Sequence, residues 1–252
     1  MNFDISHLLD DWEYEPGQIV VRKFKTDSGV EKIQLRVDLG LLQLNATGRP
    51  DGKRPYGRET LLHYHESRLR RHLKLNSGND DGFELSANDC AKLHQEAVQF
   101  HHRYICLFQL QDYPSVIRDT ERNLKAFEFI KQFAASNEFL WPMQHLVPQL
   151  LMLQTRAHGM MAVEKEDYVS AIRTVEEGIE TLRDFYRQHG QADHIEQSGE
   201  LHSLHNFLED IQSTRPLTRR EKLQKALEEA VRREDYERAA QVRDQLKNLN
   251  TP

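Results

Sequence analysis

Apolar residues recur along this chain in two rhythms. Near the N-terminus the period is two. In KIQLRVDLGLLQL, from Lys32 to Leu44, Ile33, Leu35, Val37 and Leu39 alternate with Lys32, Gln34, Arg36 and Asp38, the pattern of a strand with one buried face. The preceding QIVVRKF is β-branched and alternates weakly, and Asp27-Ser28-Gly29 supplies a turn between the two runs. The pair reads as a β-hairpin, with Gly40 marking a bulge or a strand end. A lone hairpin is marginal in water, so this one is expected to lie on a helix or to pair across a dimer. Ahead of it, residues 3–12 predict a short helix with Ile5, Leu8, Leu9 and Trp12 on one side, stopped at Glu15-Pro16-Gly17.

From Glu59 the period lengthens to three or four. Leu62, Leu69 and Leu73 make a first helical stripe, and the polar run from Asn76 to Gly82 reads as a linker. Ser86 with Asp89 resembles a capping box opening a long helix. Further helices follow, broken at Gln111–Pro114, Ser136-Asn137 and Glu166–Tyr168, with Trp141-Pro142 early in the run between the last two breaks. Two of these breaks repeat. LFQLQDYPSVIRDTERNL and AVEKEDYVSAIRTVEEGI align without gaps, so that Asp112-Tyr113 falls on Asp167-Tyr168 and Ile117-Arg118 on Ile172-Arg173. In each, the Asp can cap the second helix of a helical hairpin while the Tyr packs back at the elbow. The pattern resembles tetratricopeptide-type helical repeats, a resemblance that implies stacked hairpins with a continuous core and a binding groove.

A last pair of amphipathic helices runs from Arg219 to Leu249. The first carries Leu223, Leu227 and Ala230 with Val231, and the second Tyr236, Ala239, Val242, Leu246 and Leu249. Thr218 with Glu221 fits a capping box, Asp235 can cap the second helix, and Ala239-Ala240 lets the two backbones approach. Glu221–Lys225, Glu228–Arg232, Glu229–Arg233 and Glu234–Arg238 place acid before base at i,i+4, each worth only about 0.2–0.5 kcal/mol. Such a pair buries little, so it is expected to dock on a second copy, on another protein or on its own helical domain.

These residues resemble the UVR motif, the C-terminal hairpin of the excision-repair proteins UvrB and UvrC. The matching positions are Leu223, Ala230, Asp235-Tyr236-Glu237, Ala239-Ala240, Arg243-Asp244, Leu246 and Leu249. The resemblance implies a helical hairpin that pairs with another such hairpin or with a partner protein. Its relatives include repair proteins, ClpC-type chaperones and activators of bacterial protein-arginine kinases. The Walker loop, nuclease motifs and paired CxxC sites of those relatives do not occur in this chain. The block RVDLGLLQL…GRPDG is also similar to the N-terminal part of other bacterial proteins carrying the motif, which adds no activity.

The expected fold is mainly α. It comprises a β-hairpin-plus-helix module (1–75), a helical repeat-like domain (86–213) and the UVR hairpin (217–250). The expected function is that of a non-enzymatic adaptor. Its partner, a protein or a second copy, is met by Leu223, Leu227, Tyr236, Ala239, Ala240, Val242, Leu246 and Leu249, with Arg243 and Asp244 setting partner choice by charge.

Charge adds a rival reading. The chain of 252 residues has a formal net charge of −6, which argues against a general nucleic-acid coat but leaves room for a local patch. Arg49, Lys53, Arg54, Arg58, Arg68, Arg70, Arg71 and Lys74 form one. It suits a DNA-repair accessory that binds nucleic acid and recruits a nuclease through the hairpin. The Gly48-Arg-Pro-Asp-Gly52-Lys53-Arg54 segment within it falls short of a phosphate loop, with three residues between its glycines and Arg54 where Ser or Thr should bind magnesium.

The histidines invite a metal site at His202/His205/Glu209, His94/His101/His102 or His63/His65, but none has zinc-ligand spacing. No nucleophile elbow occurs. We therefore expect no catalytic residue, cofactor or metal. Cys90 and Cys106 read as reduced, buried thiols. An acidic N-terminus without a signal-peptide core, and no run near the roughly 20 apolar residues of a membrane span, point to the cytoplasm.

Overall fold

The computed structural model describes residues 4–10, 12–136, 138, 145–217 and 219–248. The chain divides into two compact units, 1–208 and 209–252.

The first unit opens with a single helical turn, α1 (Ser6–Leu9), which buries none of its residues. The helix expected over 3–12 is thus shorter. Trp12 lies over the Arg22 guanidinium instead, 4.0 Å from ring centre to charge, and Tyr14 lies over Arg36 at 5.2 Å.

Three strands follow, β1 (Val20–Lys25), β2 (Glu31–Val37) and β3 (Gly40–Asn45), as an antiparallel meander in the order β1-β2-β3. The expected β-hairpin therefore gains a third strand, which Gly40 opens. Val37 pairs with Gly40 across a tight turn at Asp38-Leu39. Leu39, which alternation assigns to the apolar face, sits in that turn and is 91% exposed. On the inner face Ile33 pairs with Leu44 and both are buried, while Val21, Leu35 and Leu42 line up beside them. On the other face Arg22 Nε donates to Gln34 Oε1 (2.7 Å) and Gln34 Nε2 donates to Gln43 Oε1 (2.8 Å), a polar ladder across all three strands.

The helices are α2 (Leu61–Leu75), α3 (Ala87–Gln109), α4 (Tyr113–Phe133), α5 (Val147–Glu164), α6 (Tyr168–Gln188) and α7 (Gly199–Thr214). Thr60 caps α2, and the Ser86/Asp89 capping box of α3 forms on both sides. The loop before α3 is pinned where Leu85 N–H donates to Phe133 O (2.7 Å). Helix α3 packs on α4, α4 on α5 and α5 on α6. Gly178 permits the last contact, since a Cβ there would lie 2.3 Å from Thr155.

The elbows α3–α4 and α5–α6 have one geometry. Gln111 (φ 59°) and Glu166 (φ 58°) adopt the left-handed region that usually favours glycine. Asp112 N–H donates back to Leu107 O and Asp167 N–H to Ala162 O, both at 2.9 Å, closing each preceding helix. The same aspartates then accept from Ser115 N–H (3.4 Å) and Ser170 N–H (3.0 Å), opening the next one. One residue thus terminates one helix and caps another, as the repeated Asp-Tyr in the sequence implies.

Two hydrophobic clusters lie among these elements. Leu61 and Leu62 of α2 join Leu93, Ala97, Phe127, Ile130 and Leu150, and the sheet's Ile33 and Leu44 join Tyr104, Leu107, Tyr113, Val116 and Ala157. Each cluster therefore draws residues from both sides of the Asn76–Gly82 loop.

The same elements carry a buried ionic network. Arg103 and Asp119 are both almost wholly buried and form a bidentate pair, with Nε to Oδ2 at 2.6 Å and Nη2 to Oδ1 at 2.9 Å. Arg103 Nη1 also donates to the carbonyls of Asn45 (2.9 Å) and Gly48 (2.8 Å). Arg118 donates to Asp119 (2.9 Å) and to Ala46 O (3.2 Å). Glu96, fully buried, accepts from Leu61 N–H (2.8 Å) and pairs with Arg49 (2.9 Å) and Arg122. Burial pulls Arg122 down to about 10, with Glu96 and Asp119 opposing. The Arg103 and Arg122 guanidiniums both lie over the Phe100 ring, at 4.7 and 4.3 Å from its centre.

Breaking a buried pair leaves its partner charge uncompensated, typically costing about 3–5 kcal/mol. Asp119→Ala is accordingly expected to destabilise the first unit by about that amount in urea unfolding, far beyond an exposed control such as Asp184→Ala; equal midpoints for the two variants would contradict the network's role.

The imidazoles of His65, His94, His101 and His102 all sit below their ordinary pKa, with burial the leading cause at each. At His65 the Asp89 carboxylate opposes the shift, and Arg68 and Lys92 reinforce it. A lowered folded-state value means that the unfolded chain takes up the proton first. Stability is then complete above the unfolded value of about 6.5 and falls as pH drops below it. Urea midpoints should therefore decline on acidification below neutrality, and His65→Gln should flatten part of that slope; a flat profile in the parent chain would contradict this.

Candidate functional site

The C-terminal unit contains α8 (Arg219–Arg232) and α9 (Tyr236–Asn248), packed against each other as a hairpin. Its elbow repeats the two above. Glu234 takes φ 58°, Asp235 N–H donates to Ala230 O (2.9 Å), and Asp235 Oδ1 accepts from Arg238 N–H (3.0 Å). Glu234 therefore lies outside both helices, so the Glu234–Arg238 spacing is not an intrahelical one. Of the expected charge pairs, Glu229–Arg233 closes at 2.7 Å. Arg232 also turns to Glu229 (3.6 Å), and Glu221 takes both Nη atoms of Arg215.

The expected contact residues divide by environment. Ala239 and Val242 are buried, as is Ala230, so they belong to the interior. Leu223, Leu227 and Leu246 are half-buried. Tyr236, Ala240, Arg243 and Asp244 are exposed, and Arg243 and Asp244 approach each other at 3.8 Å. Leu249 and Thr218 lie outside the described residues. Val231, which the sequence pattern sets in the seam with Ala230, is exposed. Adjacent helical residues are about 100° apart, and the narrow seam of a two-helix hairpin covers Ala230 and not its neighbour. Beside the elbow, Ala226, Glu229, Ala230, Arg233, Asp235 and Arg238 line a cleft of about 260 Å³.

The tyrosine after the capping Asp separates this elbow from the other two. Tyr113 is 4% exposed, with Phe108 edge-on to it at 5.8 Å, and Tyr168 is half-buried. Tyr236, at the same position, is 70% exposed. Tyr236, Ala240 and Arg243 follow at i, i+4 and i+7, so they share one open face of α9.

The residues of the basic patch differ in exposure and pairing. Arg49 pairs with Asp51 (3.3 Å) and Glu96 (2.9 Å), and Arg68 pairs with Asp89 (3.3 Å) beside the Phe83 ring. Lys53, Arg54 and Arg58 are exposed near the loop, and Arg70, Arg71 and Lys74 on α2. Among the candidate histidines, His205 Nδ1–H donates to Leu201 O (2.7 Å) and His101 is hydrogen-bonded to the Tyr104 hydroxyl (2.7 Å). Cys90 and Cys106 are both buried as free thiols, and burial pushes Cys106 up to about 12. No helix among the described residues is long and apolar enough to cross a membrane.

Residues 218–251 match the family model described as the UvrB/uvrC motif. The match spans the whole described hairpin, including its elbow and its exposed tyrosine. No curated protein and no solved structure matches the chain.

The left-handed conformation at Glu234 costs an L-residue roughly 1–2 kcal/mol, which glycine avoids at an entropic cost of about 0.5–1 kcal/mol. Glu234→Gly should therefore stabilise the hairpin by roughly 0.5–1 kcal/mol, slowing amide hydrogen exchange in α8 and α9 and leaving α3 and α4 unchanged. Faster exchange in the hairpin would show that the elbow is not the conformation it holds in solution.

Proposed function

We propose that this chain is a non-enzymatic adaptor of the bacterial cytoplasm that captures a partner protein through its C-terminal hairpin. Tyr236 carries the reading. At two elbows of identical backbone geometry the equivalent tyrosine is buried or half-buried, whereas here it stands open in a segment that matches a motif. A large amphipathic side chain on a rigid helix is a common interface anchor, because it offers much contact area for little entropy. Val231 and Ala240 extend the apolar contact, and Arg243 and Asp244 supply charge selection at its edge. Leu223, Leu227 and Leu246, half-buried, support the face from behind. The helices of the first unit are, in this reading, a tetratricopeptide-like scaffold that carries out no reaction of its own.

The test uses variants that leave the hairpin's own core intact. Tyr236→Ala should weaken a captured partner's binding at least tenfold, a loss of about 1.4 kcal/mol or more, with the circular dichroism of the chain unchanged. Arg243→Glu should change which partners are retained. Undiminished capture by Tyr236→Ala would defeat the proposal.

A further inference from the structure

A second surface lies far along the chain from the hairpin and does not depend on it. The loop after β3 forms a cleft of about 390 Å³ lined by Asn45, Thr47, Gly48, Arg49, Gly52, Lys53, Arg54 and Glu59. Its backbone is held unusually firmly for a loop. Arg103 takes the carbonyls of Asn45 and Gly48, and Arg118 takes that of Ala46. The carbonyls of Pro50 and Arg49 accept from Asn45 N–H (2.8 Å) and Gly52 N–H (2.9 Å). Gly48 (φ 64°) and Gly52 (φ 74°) allow the two reversals this needs, and a Cβ at Gly52 would lie 2.8 Å from the Asn45 side-chain amide.

The carbonyls are thus engaged by the protein, while the N–H groups of Thr47, Gly48 and Arg49 have no acceptor among the described residues. Successive backbone N–H groups around a left-handed residue form a concavity suited to an anion. Lys53 and Arg54 stand at its rim, exposed and without a carboxylate partner among the described residues. Glu59 is the carboxylate on the lining, turned toward His63 at 3.8 Å, and Arg49 is already shared between Asp51 and Glu96. The local balance favours a negative ligand.

We propose that this cleft binds a phosphate group, held by the Thr47, Gly48 and Arg49 N–H groups and by the Lys53 and Arg54 side chains. The group is either free phosphate, including a small phosphate ester, or a phosphate of a nucleic-acid strand. No magnesium position is required, which is consistent with Arg54 standing where a nucleotide-binding loop carries Ser or Thr.

The experiment is an amide NMR titration of the full chain with sodium phosphate at low ionic strength, with sodium chloride as control. The Thr47, Gly48 and Arg49 resonances should move and saturate with phosphate but not with chloride. The double variant Lys53→Ala/Arg54→Ala, whose changes fall on exposed side chains without a carboxylate partner among the described residues, should keep the fold and lose at least tenfold in affinity. A short single-stranded oligodeoxynucleotide distinguishes the sources. If it displaces phosphate and moves the same amides, the strand supplies the group; if it leaves the loop amides in place, free phosphate or a small ester does. Loop amides that stay still under phosphate, or a double variant that titrates like the parent, would overturn the proposal.

Discussion

The first unit depends on one buried ion pair. Arg103 from α3 and Asp119 from α4 meet where neither reaches water, and the remaining guanidinium nitrogen turns to two carbonyls of the loop after β3. Such a pair is costly to desolvate and gains its stability from having every hydrogen-bonding group met. Here Asp119 takes Arg103 and Arg118, and Arg103 takes Asp119 and the loop. The arrangement forces three separate elements into one register. The sheet sits against α3 and α4 because the segment leaving its last strand is bonded to their arginines. Loop carbonyls face inward for the same reason, and the N–H groups of Thr47, Gly48 and Arg49 are left without acceptors among the described residues.

A second constraint is the elbow used at three places. Its left-handed residue is Gln or Glu rather than glycine, and the following Asp serves as both the end of one helix and the cap of the next. Identical backbone at Gln111-Asp112, Glu166-Asp167 and Glu234-Asp235 makes the tyrosines that follow comparable. Differences in their burial then report on packing rather than on conformation. Tyr113 is enclosed beside α3's Phe108, and Tyr236 is open, although the hairpin uses the same elbow.

Much of this was legible in the sequence because it rests on periodicity and local capping. Period-two alternation gives β1 and β2, three/four spacing gives the long helices, and the repeated Asp-Tyr gives the elbows. Leu39 and β3 were not, because a tight two-residue turn interrupts alternation without a strong turn signal: Asp38-Leu39 lacks the glycine or asparagine that usually marks one. The ionic network was missed because charged residues are ordinarily read as solvated. A signal did exist. Glu96 and Arg103 fall on the same α3 stripe as Leu93, Ala97, Phe100 and Leu107, and Asp119 and Asn123 fall on the α4 stripe with Val116, Phe127 and Ile130. On the hairpin, the motif was readable, but which of its apolar residues are buried and which exposed was not. Ala239 and Val242 fill the interior, whereas Tyr236, on the same helix, stands open to solvent. Only burial separates the two cases.

The central claim is that the C-terminal hairpin, and not the helical unit before it, recruits the partner. The most direct measurement is affinity capture from native lysate with the full chain and with a version ending at Thr214, each checked for retained helical structure. A partner held by the full chain and lost from the shortened one is the predicted result. The same partner retained equally by the shortened chain would contradict the account and move the binding surface into the first unit.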